Sequence, residues 1–378
     1  MRYVRGLLSE GRRKSMEPMA ARLGVDRQGL QQLLTDSPWS HQLVLAEIAW
    51  RMEAVIGPDA WVVDDVSLPK DGHHSPAVAP QYCGALGKTA NCQVAPSVHL
   101  VTDEASCPVD WRLFVPESWD ETVVARELAA EVAARRRRAR IPDEVGHVPK
   151  WQLAIDMIDE LCCWGLDAPL VVADEGYGQD GLFHLALDER CIPYVVGILP
   201  ATSLLDHDAT RTAPARQGPG RPPVPSYRQP RRSAREMVLA AGRRSTQTVT
   251  WRPGSKGPLR PRFTALRVRP AGKRIRQAHR GRILPVCRLL AEWPPGQAEP
   301  TKYWLSTLPA DTPLPRLVRL AKIRWRVEHD YRELKTALGL AHFEGRTWTG
   351  FHHHHALVTV AHAFCTLERL RPHPAATS

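Results

Sequence analysis

The sequence predicts an α/β protein, a mixed sheet flanked by helices, with a helical N-terminal region and a β-rich insertion ahead of a late helix. Three observations carry this expectation. Between residues 151 and 199 short apolar runs alternate with helical patterns, which argues for parallel strands joined by helical crossovers. Between residues 60 and 115 three apolar runs follow one another with no helix between them, the pattern of a meander. From residue 201 to 308 Pro, Arg and Gly take over, and 14 of the chain's 33 prolines fall between 201 and 300.

Each element follows in order. Residues 1–58 read as helices, with apolar positions in Tyr3–Leu8, Met16–Leu23, Leu30–Leu34 and Leu43–Val55. Gly24 separates two short helical pieces, which fits a helix-turn-helix or an ordinary helical hairpin equally well. The pattern is already helical at Arg2, as it would be in an N-terminally truncated chain. Trp61-Val-Val-Asp64 is a strand running into the turn residues Pro69–Gly72. Asn91–Thr102 and Val109–Val115 are the next two strands. Thr122–Arg140 is a helix ending in the run Arg135–Arg138, read as a solvated helix end that could touch phosphate.

Helix Trp151–Trp164, strand Leu170–Asp174, helix Asp180–Arg190 and strand Tyr194–Leu199 form the α/β alternation. In the insertion, Ser245–Trp251, Phe263–Arg269 and Lys302–Ser306 alternate as antiparallel strands do. Helix returns at Pro315; Leu320, Ile323, Val327, Leu334, Leu338 and Leu340 keep near helical spacing, ended by Gly339 or the loop after it, and a last helix covers Ala356–Arg369. The chain thus divides into a helical region 1–58, the first part of a core at 59–200, the insertion at 201–308, completion of the core at 309–370 and a disordered tail at 371–378.

Composition bounds the function. A chain of 378 residues, 43% hydrophobic, can hold two or three domains. No apolar run approaches the roughly 18 residues of a membrane span, and residues 1–20 are charged throughout, so a cytoplasmic protein without membrane partners is expected. Eight scattered cysteines show no metal-knuckle spacing and are expected reduced and buried, with Cys162-Cys163 in a core helix. The net charge of +11 is uneven: residues 201–300 hold 21 Lys and Arg against 5 Asp and Glu. A basic surface of that strength calls for a polyanion, nucleic acid first.

The chemistry concentrates in three acids. Asp64, with Asp65 beside it, ends one strand, and Asp174 ends another; Glu328 stands on the late helix between Arg324 and Lys335. At about 3.6 residues per turn Arg324, Glu328 and Lys335 share a helix face, a pattern that surface ion pairs would also produce. Carboxylates converging from two strand ends and a helix repel one another unless cations neutralise them, so the cluster predicts divalent metal. Two Mg²⁺ roughly 4 Å apart serve phosphodiester hydrolysis and transesterification. Alternation lets only one of Asp64 and Asp65 face such metals.

At these residues the chain resembles bacterial insertion-sequence transposases of the DDE class. Within that class it is similar to the group whose signature is Tyr, two residues, Arg, three residues, Glu, six residues, Lys. Arg324, Glu328 and Lys335 match the last three members, and Ala321 stands at the Tyr position. Further similar blocks are Trp61–Gly72, Gln81–Gln93, Val115–Trp119, Ala173–Gly178 and Gly345–His355, in the family's order. The resemblance implies an RNase H-like catalytic core. It maps the catalytic, metal-holding acids to Asp64 (with Val66 in the place of a usual Thr), Asp174 and Glu328. It implies two Mg²⁺ ions, which Mn²⁺ could replace. DNA contacts would come from Arg324 and Lys335, from Arg332 on the same helix, and from Lys88, for which a solvated turn serves as well. The implied partners are terminal inverted repeats, target DNA and a second copy of the chain on DNA.

Other readings stand beside this one. A DNA-binding remnant without catalysis would fit a truncated chain, and a nuclease acting on RNA hybrids would share the core; retention of all three acids and the Arg, Glu, Lys spacing favour the transposase. The run His352–His355 is read as packing and capping rather than metal ligation, and His73-His74 as a solvated loop. Gly176-Tyr-Gly178 lacks the Lys and spacing of a phosphate loop.

Overall fold

The computed structural model describes residues 2–213, 224–254, 257–259 and 261–371. The expected tail therefore lies outside the described residues from 372 onward, as do parts of the insertion's margins at 214–223, 255–256 and 260. The chain forms two compact units, residues 1–168 with 325–378, and residues 169–324.

In the first unit, α1 (Arg2–Leu8), α2 (Met16–Leu23), α3 (Arg27–Thr35) and α4 (His41–Ile56) lead into β1 (Ala60–Pro69), β2 (Ala79–Cys83), β3 (Lys88–Val101) and β4 (Ser106–Trp111). Then come α5 (Arg126–Ala139) and α6 (Lys150–Cys163). Gly24, at φ +62°, closes α2 in the left-handed region that glycine enters without strain. Strand β3 is the axis of the sheet: β1 pairs antiparallel along one edge, while β2 and β4 pair end to end along the other. Trp61, Val62 and Val63 are all fully buried, so β1 is covered on both faces, and each such side chain contributes about 1.5–3 kcal/mol of burial.

The second unit begins with β5 (Val171–Ala173), α7 (Glu175–Gly178), α8 (Gly181–Glu189) and β6 (Tyr194–Ile198). Strands β5 and β6 are parallel, as the alternation in the sequence requires. The insertion supplies β7 (Ser203–Asp206), β8 (Arg211–Thr212), β9 (Ser226–Tyr227), β10 (Arg232–Ser233), α9 (Ala234–Ala241), β11 (Gln247–Thr248), β12 (Arg252–Gly254), β13 (Gly257–Leu259) and β14 (Arg262–Pro270). It continues through α10 (Lys273–Ala278), β15 (Cys287–Glu292), β16 (Lys302–Ser306) and α11 (Leu314–Lys322). Strands β5, β6, β16, β15, β14, β7 and β10 lie side by side in that order, antiparallel after the first pair. The first unit is completed by α12 (Trp325–Thr336) and α13 (Trp348–Leu370). The mixed α/β class with an RNase H-like character is the one the sequence predicts.

Several local expectations are corrected. The late helix does not run unbroken to Gly339: it ends at Lys322, Ile323 donates to the Leu320 carbonyl at 3.3 Å, and a new helix starts at Trp325. No Gly or Pro marks this break. The last helix begins at Trp348, so the four histidines lie within it, all buried. Cys162 and Cys163 are exposed, because α6 turns Ile155, Ile158 and Leu161 inward and leaves the next two positions outside. Arg136 is buried rather than solvated, donating to the Trp119 and Pro142 carbonyls at 3.0 Å. Only Gln247–Thr248 of the expected strand Ser245–Trp251 pairs with β14.

Candidate active site

The register of β1 against β3 sorts the two adjacent acids. Asp64 stands opposite Ser97 and Asp65 opposite Pro96. Directly opposed residues share a face of the sheet. Ser97 is hydrogen-bonded at 2.7 Å to Tyr331 of α12, so the Ser97 face, and Asp64 with it, is the face that α12 covers. Asp65 points to the other face, where Lys150 at the start of α6 donates to its carboxylate. The Asp65 amide donates to the Asp64 Oδ1 at 2.8 Å, fixing the turn of backbone between them.

Helix α12 places its charges by the same periodicity. Val327, Asp330, Tyr331 and Leu334 are buried, and Glu328 is exposed on the stripe that continues through Arg332 to Lys335. Lys335 is half-buried, and burial pushes its ammonium below the usual lysine range while the nearby Cys83 and Asp64 oppose that shift. Lys335 and Asp64 are thus electrostatic neighbours. Asp330 and Glu333, the other acids of α12, are committed to structural partners, Glu333 to Arg369 of α13. Lys88 is exposed at the turn end of the β2–β3 hairpin, in register with Cys83.

The second unit holds the other two predicted residues together. Asp174 caps α7, its Oδ1 accepting the Gly176 amide at 2.8 Å, and its Oδ2 lies 3.5 Å from the Arg324 guanidinium. Two glycines set where the Asp174 turn sits. A Cβ on Gly178 would fall 2.0 Å from the Gly197 carbonyl oxygen, and one on Gly197 would fall 2.7 Å from the Glu175 nitrogen. Only glycine at both positions lets α7 lie against β6.

A network that the sequence reading passed over anchors α12. Ser97 and His99 alternate onto the same face of β3, and Ser106 leads β4. Asp330 accepts from Ser106 Oγ at 2.7 Å and from His99 Nδ1 at 3.1 Å, with His362 of α13 3.6 Å away. His99 Nε2 lies 3.0 Å from Ser97 Oγ. One arrangement of protons satisfies the chain: Tyr331 donates to Ser97, Ser97 to His99, and His99 to Asp330. Burial pushes the Asp330 carboxyl up, but hydrogen bonds and charge from His362 and His99 outweigh it and hold the group well below the usual carboxylate range. These polar residues are all closed to solvent, so the network positions the helix and touches no substrate.

The four histidines of α13 also pack. His353 stacks on Trp39 with ring centroids 3.8 Å apart and bonds the Leu34 and Trp39 carbonyls, and His354 meets the Tyr3 hydroxyl at 2.8 Å. His353 and His354 thus clamp the N-terminal helices against α13. Among the described residues no three His, Cys, Asp or Glu side chains gather as a metal cage. Asp64, Asp174 and Glu328 each offer carboxylate oxygens, the donor type that hard divalent cations such as Mg²⁺ prefer.

A family model described as DDE superfamily endonuclease matches residues 1–258. That span includes Asp64, Asp65 and Asp174 and stops before Arg324, Glu328 and Lys335. A probable transposase for insertion sequence element IS701 from Microchaete diplosiphon is 29% identical over 197 residues, 51% of this chain and 46% of that protein. The chain spans about half the length of that curated relative.

Proposed function

The chain belongs to the DDE superfamily of endonucleases, a group that generally uses divalent metal, and we propose on that footing that it is a transposase that cuts and joins DNA at the ends of an insertion-sequence element. The observation that carries the reading is the shared face: Asp64 on β1 lies under the helix that bears Glu328 and Lys335. Among the described residues no helix is long and apolar enough to cross a membrane.

In this proposal Asp64, Asp174 and Glu328 are the metal ligands, and two Mg²⁺ ions, when bound, supply charge neutralisation and activation of water and of the 3′-hydroxyl. The rest is the work of side chains. Lys335, beside Asp64, holds a phosphate as a point charge. Arg324 offers a planar fork to another and meanwhile orients Asp174. Lys88 and Arg332, both exposed, extend the contact along the DNA backbone. Lys150 keeps Asp65 out of the site by holding it on the opposite face. The proposed partners are terminal inverted repeats, target DNA and a second copy of the chain.

The test is strand cleavage of DNA carrying the element's ends, in Mg²⁺. Wild type is expected to cut, and Glu328→Gln to lose that activity while still binding DNA. Equal cutting by the two proteins would overturn the proposal.

A further inference from the structure

The second unit carries a run unlike any other in the chain: residues 237–291 contain 14 Lys and Arg and no Asp or Glu. The structure folds part of that run into a seat. Helix α10 turns Ile275 into a small core with Leu205, Ala209, Ala271 and Leu284, against which Tyr227 packs. Gly181 of α8 comes close enough to α10 that a Cβ there would lie 3.2 Å from Arg274 Cβ. The helix is therefore anchored on one side, and its other side offers Arg276 to solvent.

The turn after α10 adds two more cations. Gly281, at φ +80°, lets the backbone reverse between Arg280 and Arg282, both exposed. Arg211 from β8 pins this turn, donating to the Gly281 carbonyl at 2.9 Å and to the Pro225 carbonyl at 2.6 Å. Together Arg211, Tyr227, Arg276, His279, Arg280 and Arg282 line a cavity of about 280 Å³ whose other lining residues are Val224, Pro225, Ser226, Gly281 and Leu284. No acid lines it. Arg211 and Arg276 bond carbonyl oxygens, which leave the guanidinium charge uncompensated, and among the described residues none of the four arginines has an ion-pair partner. Asp188, outside the lining, lies close enough to His279 to feel its charge.

A concave array of arginines, two of them held by backbone carbonyls, has the chemistry of a phosphate receptor. We propose that this cavity seats backbone phosphates of duplex DNA, a second nucleic-acid contact that depends on charge and not on base sequence. The choice of DNA as the source of phosphate rests on the function proposed above.

The experiment measures affinity for an end-containing duplex and for an unrelated duplex against salt concentration, with metal chelated so that no cutting occurs. Each phosphate contact contributes about 0.9 to the slope of log affinity against log salt. The triple variant Arg276→Gln, Arg280→Gln, Arg282→Gln should lower the slope by about 2–3 for both duplexes. The triple Arg→Lys variant at the same positions should retain it, and Arg235→Gln, which removes a cation already paired with Glu299, should leave it unchanged. An unchanged slope in the triple Gln variant overturns the seat. So does an equal loss in the Lys variant, since that is a folding effect. Inorganic phosphate at low millimolar concentration that competes with wild type as well as duplex does would assign the cavity to small phosphates instead. Glu328→Gln, assayed in parallel in Mg²⁺, separates the two claims: cutting by that variant would sink the catalytic reading while leaving the seat in place.

Discussion

Asp330 of α12 and His99 of β3 meet at 3.1 Å with both side chains shut away from solvent. A carboxylate buried in that way is stable only while its donors remain, and it ties the helix carrying Glu328 to the strand that lies beside Asp64. His99→Leu removes one donor to Asp330 and leaves the Ser97 hydroxyl without its acceptor. The expected loss is about 3–5 kcal/mol, read as a lower urea midpoint. A midpoint equal to wild type would show that α12 is held by its apolar contacts alone.

Acidification should act through the clamp of α13. Burial pushes His41 down to about 4 and His354 down to about 3, and the close-packed His352 and His355 are lowered for the same first reason. The folded chain thus keeps these rings neutral at pH values where the unfolded chain, near 6.5, takes up protons. Their contribution to stability is present above about pH 6.5 and falls as pH drops toward 4 and 3, by roughly 1.4 kcal/mol per pH unit for each ring. Asp330, lowered as well, adds loss of the same sign at still lower pH. Urea unfolding at pH 7.5, 6 and 5 should give midpoints that fall in that order. His354→Phe, which keeps a ring against Phe343 and Tyr3, should flatten the trend; a pH-independent midpoint in wild type would contradict it.

Gly178→Ala puts a methyl where the Gly197 carbonyl oxygen already lies, 2.0 Å away. Backbone cannot yield as a flexible side chain would, so the Asp174 turn must move off β6. The expected result is a loss of about 1–3 kcal/mol in stability and a larger proportional loss of DNA cutting than of DNA binding. Gly242→Ala, also at a glycine but with no neighbour within 4 Å of the added Cβ, tests strain at φ +72° without that collision. Cutting that survives Gly178→Ala would show that the position of Asp174 tolerates a shift.

The candidate residues could be named from the sequence because their markers are local. Asp64 follows an apolar run, Asp174 follows another, and Arg324, Glu328 and Lys335 stand at fixed intervals. What escaped was the part made by distant partners. Asp330 looked like one more charge on a polar helix, since His99, Ser106 and His362 reach it from other elements, His99 from 231 positions away. Lys150, which settles the face of Asp65, gave no signal beyond its position before a helix. The break at Ile323 carries no glycine or proline. Strand β15 was missed because Cys287–Glu292 is a short apolar run within Pro- and Arg-rich sequence, where its pairing with β14 and β16 decides its conformation.

The central claim is that the chain cuts DNA with Asp64 and not its neighbour. It is tested most directly by the Mg²⁺-dependent cleavage rate of Asp64→Asn beside that of Asp65→Asn. A metal ligand supplies several kcal/mol of transition-state stabilisation, so Asp64→Asn should cut on the order of 10³-fold more slowly. Asp65→Asn, which only loosens the contact with Lys150, should stay within about tenfold of wild type, as expected for a partly exposed ion pair away from the proposed site. Cutting by Asp64→Asn at the wild-type rate, or loss of cutting in Asp65→Asn alone, would contradict the account.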